Sequence, residues 1–373
     1  MSGSGLKWGI AGYGDIVRRK ALPALLSLGE TVACVWGRDA ARARATCEEL
    51  GGARGGSGAF GTSDYTALLD AAEVVYVATP VAAHLPLAVA AARAGLPVLV
   101  EKPLGRTAPW PAPEEGTRHS GTAPAPEESA RHHRTAAVPG AVHGPVATPA
   151  GDGARRRGPV PELAAAHAGV AYYRRLAPAL GRVREILRGR TVHRAVVEFR
   201  GPFDPEPDDP RLWRTDPAIS GGGVLADIGS HRLDLLCWLL GEPVVTGART
   251  GLPFDLGAER LARVELAWPS GGTALLEAAW TPGARHDRFL LFFDGGHLEL
   301  DPLDSGVVRG TVDGAAVEEF LPPPENPHLP LMADFARSVR DGTDPVCPVR
   351  DAEVVDRLIA DAYALAIPSE EHP

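Results

Sequence analysis

Three groups of residues in this 373-residue chain have types and spacings that could do chemistry. The first is Gly12-Tyr13-Gly14, set between an apolar run and a helical pattern. Glycines in such a turn let the backbone approach a pyrophosphate, whose charge the following helix N-terminus favours. A tight turn with no ligand gives the same residues, and the third position of the fingerprint is Val17, not glycine or alanine. The second is Lys102 in Glu101-Lys102-Pro103, at the end of another apolar run. Of 38 basic residues only Lys7, Lys20 and Lys102 are lysine, so arginine serves wherever a positive charge suffices. Lysine alone gives up its proton readily, and an ammonium at a strand end can stabilise a developing alkoxide or polarise a carbonyl. The third is Asp227, His231 and Asp234, at i, i+4 and i+7 of one helical pattern. A histidine one turn from a carboxylate is a general acid/base pair in which the carboxylate fixes the tautomer, although a polar surface stripe has the same spacing. Gly221-Gly222-Gly223 just before it lets another backbone or a ligand come close.

The elements that must position these groups follow from periodicity. Strands are expected at 6–11, 30–36, 74–78 and 98–101, with helices at 15–28, 40–50, 64–71 and 84–93 between them and a glycine-rich loop at 51–61. Alternating strands and helices mean a parallel sheet with crossover connections, and ligands bind outside the C-terminal strand ends. Gly12, Tyr13, Gly14, Asp15 and Ile16 then face a dinucleotide. The second strand ends in Trp36-Gly37-Arg38-Asp39, where Arg38 suits a 2′-phosphate and Asp39 lies one place late for a ribose. NADP is therefore preferred over NAD. Beyond a strand at 169–174 and a helix at 178–187, strands dominate: 191–200, 262–268, 273–280, 287–294 and 306–312 read as an antiparallel meander. One helix over 224–240 interrupts them, and helices at 328–340 and 351–364 close the chain.

Composition excludes several classes. The net charge is −9 and no basic stripe exists, which argues against nucleic acid. No run is long and apolar enough to span a bilayer, no leader pattern opens the chain, and the four scattered cysteines make neither a disulfide framework nor a zinc site. A cytoplasmic location is expected. No Tyr-x-x-x-Lys occurs, which removes short-chain dehydrogenase chemistry. Residues 105–168 depart from the rest, with ten of the 35 prolines, five of the 12 histidines and no apolar period. Disorder or a loose surface excursion is expected there, with a helix near 161–168. A frameshift-like segment, a disordered insertion, and a metal or partner segment around His132 and His133 all fit that composition.

Taken together the motifs resemble the glucose–fructose oxidoreductase / inositol dehydrogenase / rhizopine-catabolism family of NAD(P)-dependent oxidoreductases. They are Gly12-Tyr13-Gly14, Ala78-Thr79-Pro80 with His84, Glu101-Lys102-Pro103, Val170-Ala171-Tyr172-Tyr173-Arg174-Arg175, and the stretch from Gly221 through Asp227 to His231. The resemblance implies an α/β Rossmann domain (a doubly wound parallel sheet, residues 1–175), then an α+β domain with a large, mainly antiparallel open sheet (residues 176–373). It implies a substrate cleft between them, and a homodimer or homotetramer through the sheet. Lys102, Asp227 and His231 match the family's catalytic positions; Ala78, Thr79, Pro80 and His84 match the loop beside the nicotinamide, and Glu101 and Gly37 join the cofactor set. Tyr172, Arg174, Trp213 and Arg214 are candidates for the substrate wall. The implied substrate is a sugar, nucleotide-sugar or cyclic polyol, oxidised or reduced at a secondary alcohol or ketone. His231 would move the proton, Asp227 would orient His231, and Lys102 would stabilise the alkoxide. Glycoside hydrolysis through transient oxidation and non-catalytic sugar sensing are the alternatives in related branches. Relatives join Glu-Lys-Pro to the Tyr-x-Arg-Arg motif by a single helix; here Lys102 and Val170 are 68 residues apart.

Overall fold

The valine-rich runs of the first half are buried on both faces, as strands of a helix-covered parallel sheet must be. Val74–Val77, for instance, is buried at every position. The computed structural model describes residues 5–54, 58–105 and 160–369. Its first part runs β1 (Lys7–Ala11), a π-type turn (Val17–Ala21) leading into α1 (Leu22–Ser27), β2 (Thr31–Trp36), α2 (Ala40–Arg54), β3 (Phe60–Thr62), α3 (Tyr65–Ala71), β4 (Val74–Val77), α4 (His84–Arg93) and β5 (Val98–Val100). Then come α5 (Pro161–Ala165) and β6 (Ala168–Val170). The caps are local chemistry: Asp64 accepts the Thr66 N–H at 2.9 Å to start α3, and Gly95 turns the chain after α4 at φ +79°.

These six strands form one parallel sheet in the order β3-β2-β1-β4-β5-β6. The order reverses between β1 and β4, and a crevice opens beyond the strand C-termini at such a switch point. Gly12, Ala78 and Glu101 all follow directly on strands of this sheet. Of the expectations for residues 105–168, only the helix falls on described residues; it is the five-residue α5.

The second part runs α6 (Pro178–Leu187), β7 (Val192–Gly201), α7 (Pro217–Ser220), α8 (Ser230–Leu240), β8 (Val244–Pro253), β9 (Glu259–Ala267), β10 (Thr273–Trp280), β11 (His286–Phe293), β12 (Gly296–Leu300), β13 (Val307–Val312), β14 (Ala315–Phe320), α9 (His328–Asp341), α10 (Val349–Leu365) and β15 (Ala366–Pro368). Nine strands make one sheet, ordered β14-β13-β12-β11-β7-β10-β9-β8-β15. It is antiparallel except at β7–β10 and β8–β15, so the simple meander expected from the sequence is corrected. β7 inserts between β10 and β11, a long-range pairing that periodicity cannot show. Four of its strands were unrecognised for related reasons: β8 and β12 contain or begin with glycine, β14 is one-third charged, and β15 has three residues.

The core has two parts. One extends from β4 and β5 through α6 and α8 into the large sheet. The other joins Trp8, Ile10, Leu25 and Tyr76 of the parallel-sheet half to Leu331, Met332 and Phe335 of α9. Trp8 and Phe335 rings lie 6.1 Å apart. A helix from late in the chain thus covers the first sheet.

Candidate active site

The phosphate turn is shaped by backbone contact. Gly12 has φ +123°, and a Cβ on it would stand 2.4 Å from the Ala78 carbonyl oxygen. Only glycine allows that approach. A Cβ at Gly14, by contrast, would meet nothing within 4 Å, so no protein neighbour requires this glycine. The N–H groups of Gly14, Asp15 and Ile16 have no partner among the described residues, and the Thr79 hydroxyl is buried without one. Open space, free donors and an unpaired hydroxyl at adjacent strand ends fit a dinucleotide. Tyr13 lays its ring against Gly37, where a Cβ would come within 2.0 Å of it. Val17 opens the π-type turn and is buried in the core rather than facing the crevice.

Arg38 and Asp39 divide their tasks. Asp39 accepts the N–H groups of Ala41 (2.9 Å) and Arg42 (3.2 Å), capping α2. Arg38 is exposed and its guanidinium has no partner among the described residues. His84 is buried, its Nδ1 2.8 Å from the Pro103 oxygen and its Nε2 2.7 Å from the Thr79 oxygen. It ties the Ala78–Pro80 loop to the Glu-Lys-Pro segment. Glu101, expected to serve the cofactor, is engaged by protein groups: its Oε1 accepts from Tyr76 Oη (2.5 Å) and faces His328 Nε2 (3.1 Å). Burial pushes its carboxyl up, but the His328 and Tyr76 hydrogen bonds and the Lys102 charge outweigh that and hold it below the usual range.

The catalytic candidates come together, though not in the arrangement the spacing implied. Lys102 Nζ donates to Asp227 Oδ1 at 2.7 Å and to the Asp227 carbonyl at 2.8 Å. Asp227 Oδ2 accepts from Arg214 at 2.9 Å. Burial opposes the charge on Asp227, but Lys102 and Arg214 hold its carboxyl well below the carboxylate range. No hydrogen bond joins Asp227 to His231: His231 Nδ1 is buried without a partner among the described residues. The expectation that Asp227 orients His231 is therefore corrected. Two cations claim the carboxylate. The expected single helix also begins as a π-type turn, Leu225–Gly229, in which i+4 residues do not align as in an α-helix. Burial, and then the charges of Arg174, Lys102, Arg232 and His328, drive the His231 imidazole well below its usual pKa, so the ring is neutral. Asp234, third on that face, is fully buried and pairs with Arg175 at 2.6 Å.

The triple glycine admits protein rather than ligand. A Cβ on Gly222 would lie 2.1 Å from Tyr363 Oη, and one on Gly223 2.1 Å from the Glu259 oxygen. Glu259 accepts the N–H groups of Gly223 (2.8 Å) and Leu225 (3.0 Å) and the Tyr363 hydroxyl (2.9 Å), so it caps the start of the His231-bearing helix.

The substrate-wall candidates have separate fates. Arg214 reaches Asp227, and Trp213 lies beside its guanidinium, 5.5 Å from ring centre. Tyr172 and Arg174 belong to no strand, because β6 ends at Val170 and a 3₁₀ turn follows. Tyr172 is buried with its ring edge-on to His231 at 5.7 Å. Arg174 is locked in two hydrogen bonds to Asp304, at 2.9 and 2.6 Å. Sequence reasoning missed three neighbours. Tyr173 lies nearer His231 than Tyr172 does, at 5.1 Å. His328 reaches Glu101 from α9, and Arg232 pairs with Asp287 in the core at 2.5 Å. Tyr173 sits inside a recognised motif and could have been found; His328 carries no local signal. Among the described residues no group of three or more His, Cys, Asp or Glu could hold a metal, and no helix is long and apolar enough to cross a membrane. His132 and His133 lie outside the described residues.

Comparison with known proteins agrees with the fold. Residues 6–120 match the oxidoreductase family with an NAD-binding Rossmann fold, and residues 183–299 match the GFO/IDH/MocA C-terminal domain. The chain is 29% identical to D-xylose 1-dehydrogenase (NADP(+)) 2 of Haloferax volcanii over 97% of both chains. It is 28% identical to a dTDP-3,4-didehydro-2,6-dideoxy-alpha-D-glucose 3-reductase of Streptomyces antibioticus, over 95% of this chain and 96% of that one. The aldose-aldose oxidoreductase of Caulobacter crescentus superposes with a TM-score of 0.72 at 20% identity, over 97% of each chain, and shares the fold.

Proposed function

Because the chain belongs to the GFO/IDH/MocA family of oxidoreductases, we propose that it transfers a hydride between NADP and a secondary alcohol or ketone of a sugar or nucleotide-linked sugar. The observation that carries the reading is the pairing of Lys102 with Asp227, four residues before the buried His231, next to a strand-end crevice fit for a dinucleotide. The cofactor, when bound, donates or accepts the hydride. The chain's own residues do the rest. Lys102 presents an ammonium fixed by two oxygens of Asp227 and stabilises negative charge on the reacting oxygen. His231, neutral and without an acidic partner, is the proton acceptor for an alcohol. Asp227 therefore orients Lys102 rather than the imidazole. The free Arg38 beside a committed Asp39 favours the 2′-phosphate of NADP, and the Haloferax volcanii relative is named for NADP.

The test is fluorescence titration of the full chain with NADPH and with NADH, then NADP⁺-linked turnover of D-xylose and reduction of dTDP-linked ketosugars by NADPH. NADPH should bind about tenfold more tightly than NADH. A cooperatively folding protein that binds neither would overturn the reading.

A further inference from the structure

His328 is the first residue of α9 and is 1% exposed. It lies 227 residues from Glu101 in sequence, yet its Nε2 is 3.1 Å from Glu101 Oε1. A carboxylate oxygen can only accept from it, so Nε2 carries the proton. The same Oε1 takes the Tyr76 hydroxyl at 2.5 Å, and Glu101 Oε2 takes the Lys102 backbone N–H at 3.3 Å. The Glu101 side chain therefore clamps the peptide from which the Lys102 side chain springs. On its other side the His328 ring lies 5.4 Å from Tyr173, and Tyr173 lies 5.1 Å from His231. Contacts thus run unbroken from Tyr76 through Glu101, His328 and Tyr173 to His231. The link is held on a rigid element. Asn326 Oδ1 accepts the His328 N–H at 3.0 Å and Asn326 Nδ2 donates to the Lys20 carbonyl at 2.9 Å. One and two turns on, Leu331, Met332 and Phe335 are sunk in the core with Trp8 and Ile10 of β1.

We propose that His328 is a positioning residue of the active site, fixing Lys102 through Glu101 and His231 through Tyr173. Its kinetic consequence rests on the hydride-transfer reading; its structural consequence does not. The Tyr173 ring lies between the His328 and His231 rings, so a change of side chain at 328 must reach the surroundings of His231.

The experiment uses the full chain carrying His328→Gln and, separately, His328→Phe. Thermal unfolding, NADPH titration, NMR of the His231 ring and NADP⁺-linked oxidation of D-xylose are measured for each. NADPH affinity should stay within about threefold of the parent. The His231 ring signals should move in both variants, because the Tyr173 ring that lies against His231 loses its His328 neighbour. Turnover should fall about tenfold to a hundredfold, the scale of a misplaced catalytic group. His328→Gln, which can still donate an N–H to Glu101, should recover more of the rate than His328→Phe. Folded variants with unmoved His231 ring signals would overturn the proposal, and if one variant does not fold the other gives the same readout. A parent chain with no D-xylose turnover counts against that substrate or the functional reading alone, because the NMR arm decides the positioning role without substrate.

Discussion

Lys102 is held by one residue twice, through the side chain and the carbonyl of Asp227. A substitution at either end should separate charge from geometry. Lys102→Met should lower turnover roughly a hundredfold to a thousandfold, as loss of an oxyanion-stabilising group does, while NADPH binding survives. Asp227→Asn keeps a hydrogen-bond acceptor but not the charge and should cost less; an equal loss would mean that Asp227 acts on the substrate itself. The pH profile follows from His231. Its folded pKa is depressed, so the neutral, proton-accepting form persists as pH falls through the ordinary histidine range and is lost only well below it. Oxidation by kcat/KM should therefore show no histidine limb near 6.5 (the unperturbed value); a limb there that vanished with His231 would sink the assignment. Arg38→Ala should weaken NADPH about tenfold and leave NADH unchanged. A parallel loss with both would make Arg38 a general anion site.

The elements carrying these residues were legible where local chemistry decides them. Gly12-x-Gly14 between strand and helix, α4 from His84 to Arg93 and β10 from Thr273 to Trp280 fall where composition and stop signals put them. The Asp227–His231 pairing was not legible, because i+4 spacing implies contact only in a regular α-helix and this segment starts as a π-type turn. Nor was the purpose of the triple glycine, whose neighbours Glu259 and Tyr363 lie 36 and 140 residues from Gly223. That cap gives an element-scale prediction. Gly223→Ala drives a Cβ into the β9 backbone and should destabilise by about 1–3 kcal/mol or more, since a strand cannot yield as a side chain can. Tyr363→Phe leaves Glu259 one donor short and should cost about 1–2 kcal/mol. Urea unfolding measures both, and an unchanged midpoint in Gly223→Ala would mean that the helix start is free to shift.

At the scale of the whole molecule, the two sheets are not independent in stability. Phe335 of α9 packs on Trp8 of β1 inside the core of the parallel-sheet half. Phe335→Ala should cost about 3–5 kcal/mol, the usual price of emptying a buried aromatic site. Its effect should appear first as weakened NADPH binding, although Phe335 is distant in sequence from every cofactor residue. Undiminished NADPH affinity in a measurably destabilised variant would show that α9 braces the sheet without shaping the crevice.

The place of α9 in the chain has a consequence for synthesis. β1 and β2 leave the ribosome early, but the helix that covers Trp8, Ile10 and Leu25 ends at Asp341. At roughly 5–20 residues per second, the interval is on the order of 15–60 s. Through that time an apolar face of the nucleotide-binding half stays uncovered. The nascent protein then offers such a face to chaperones, and its cofactor-binding half matures only once α9 has been made.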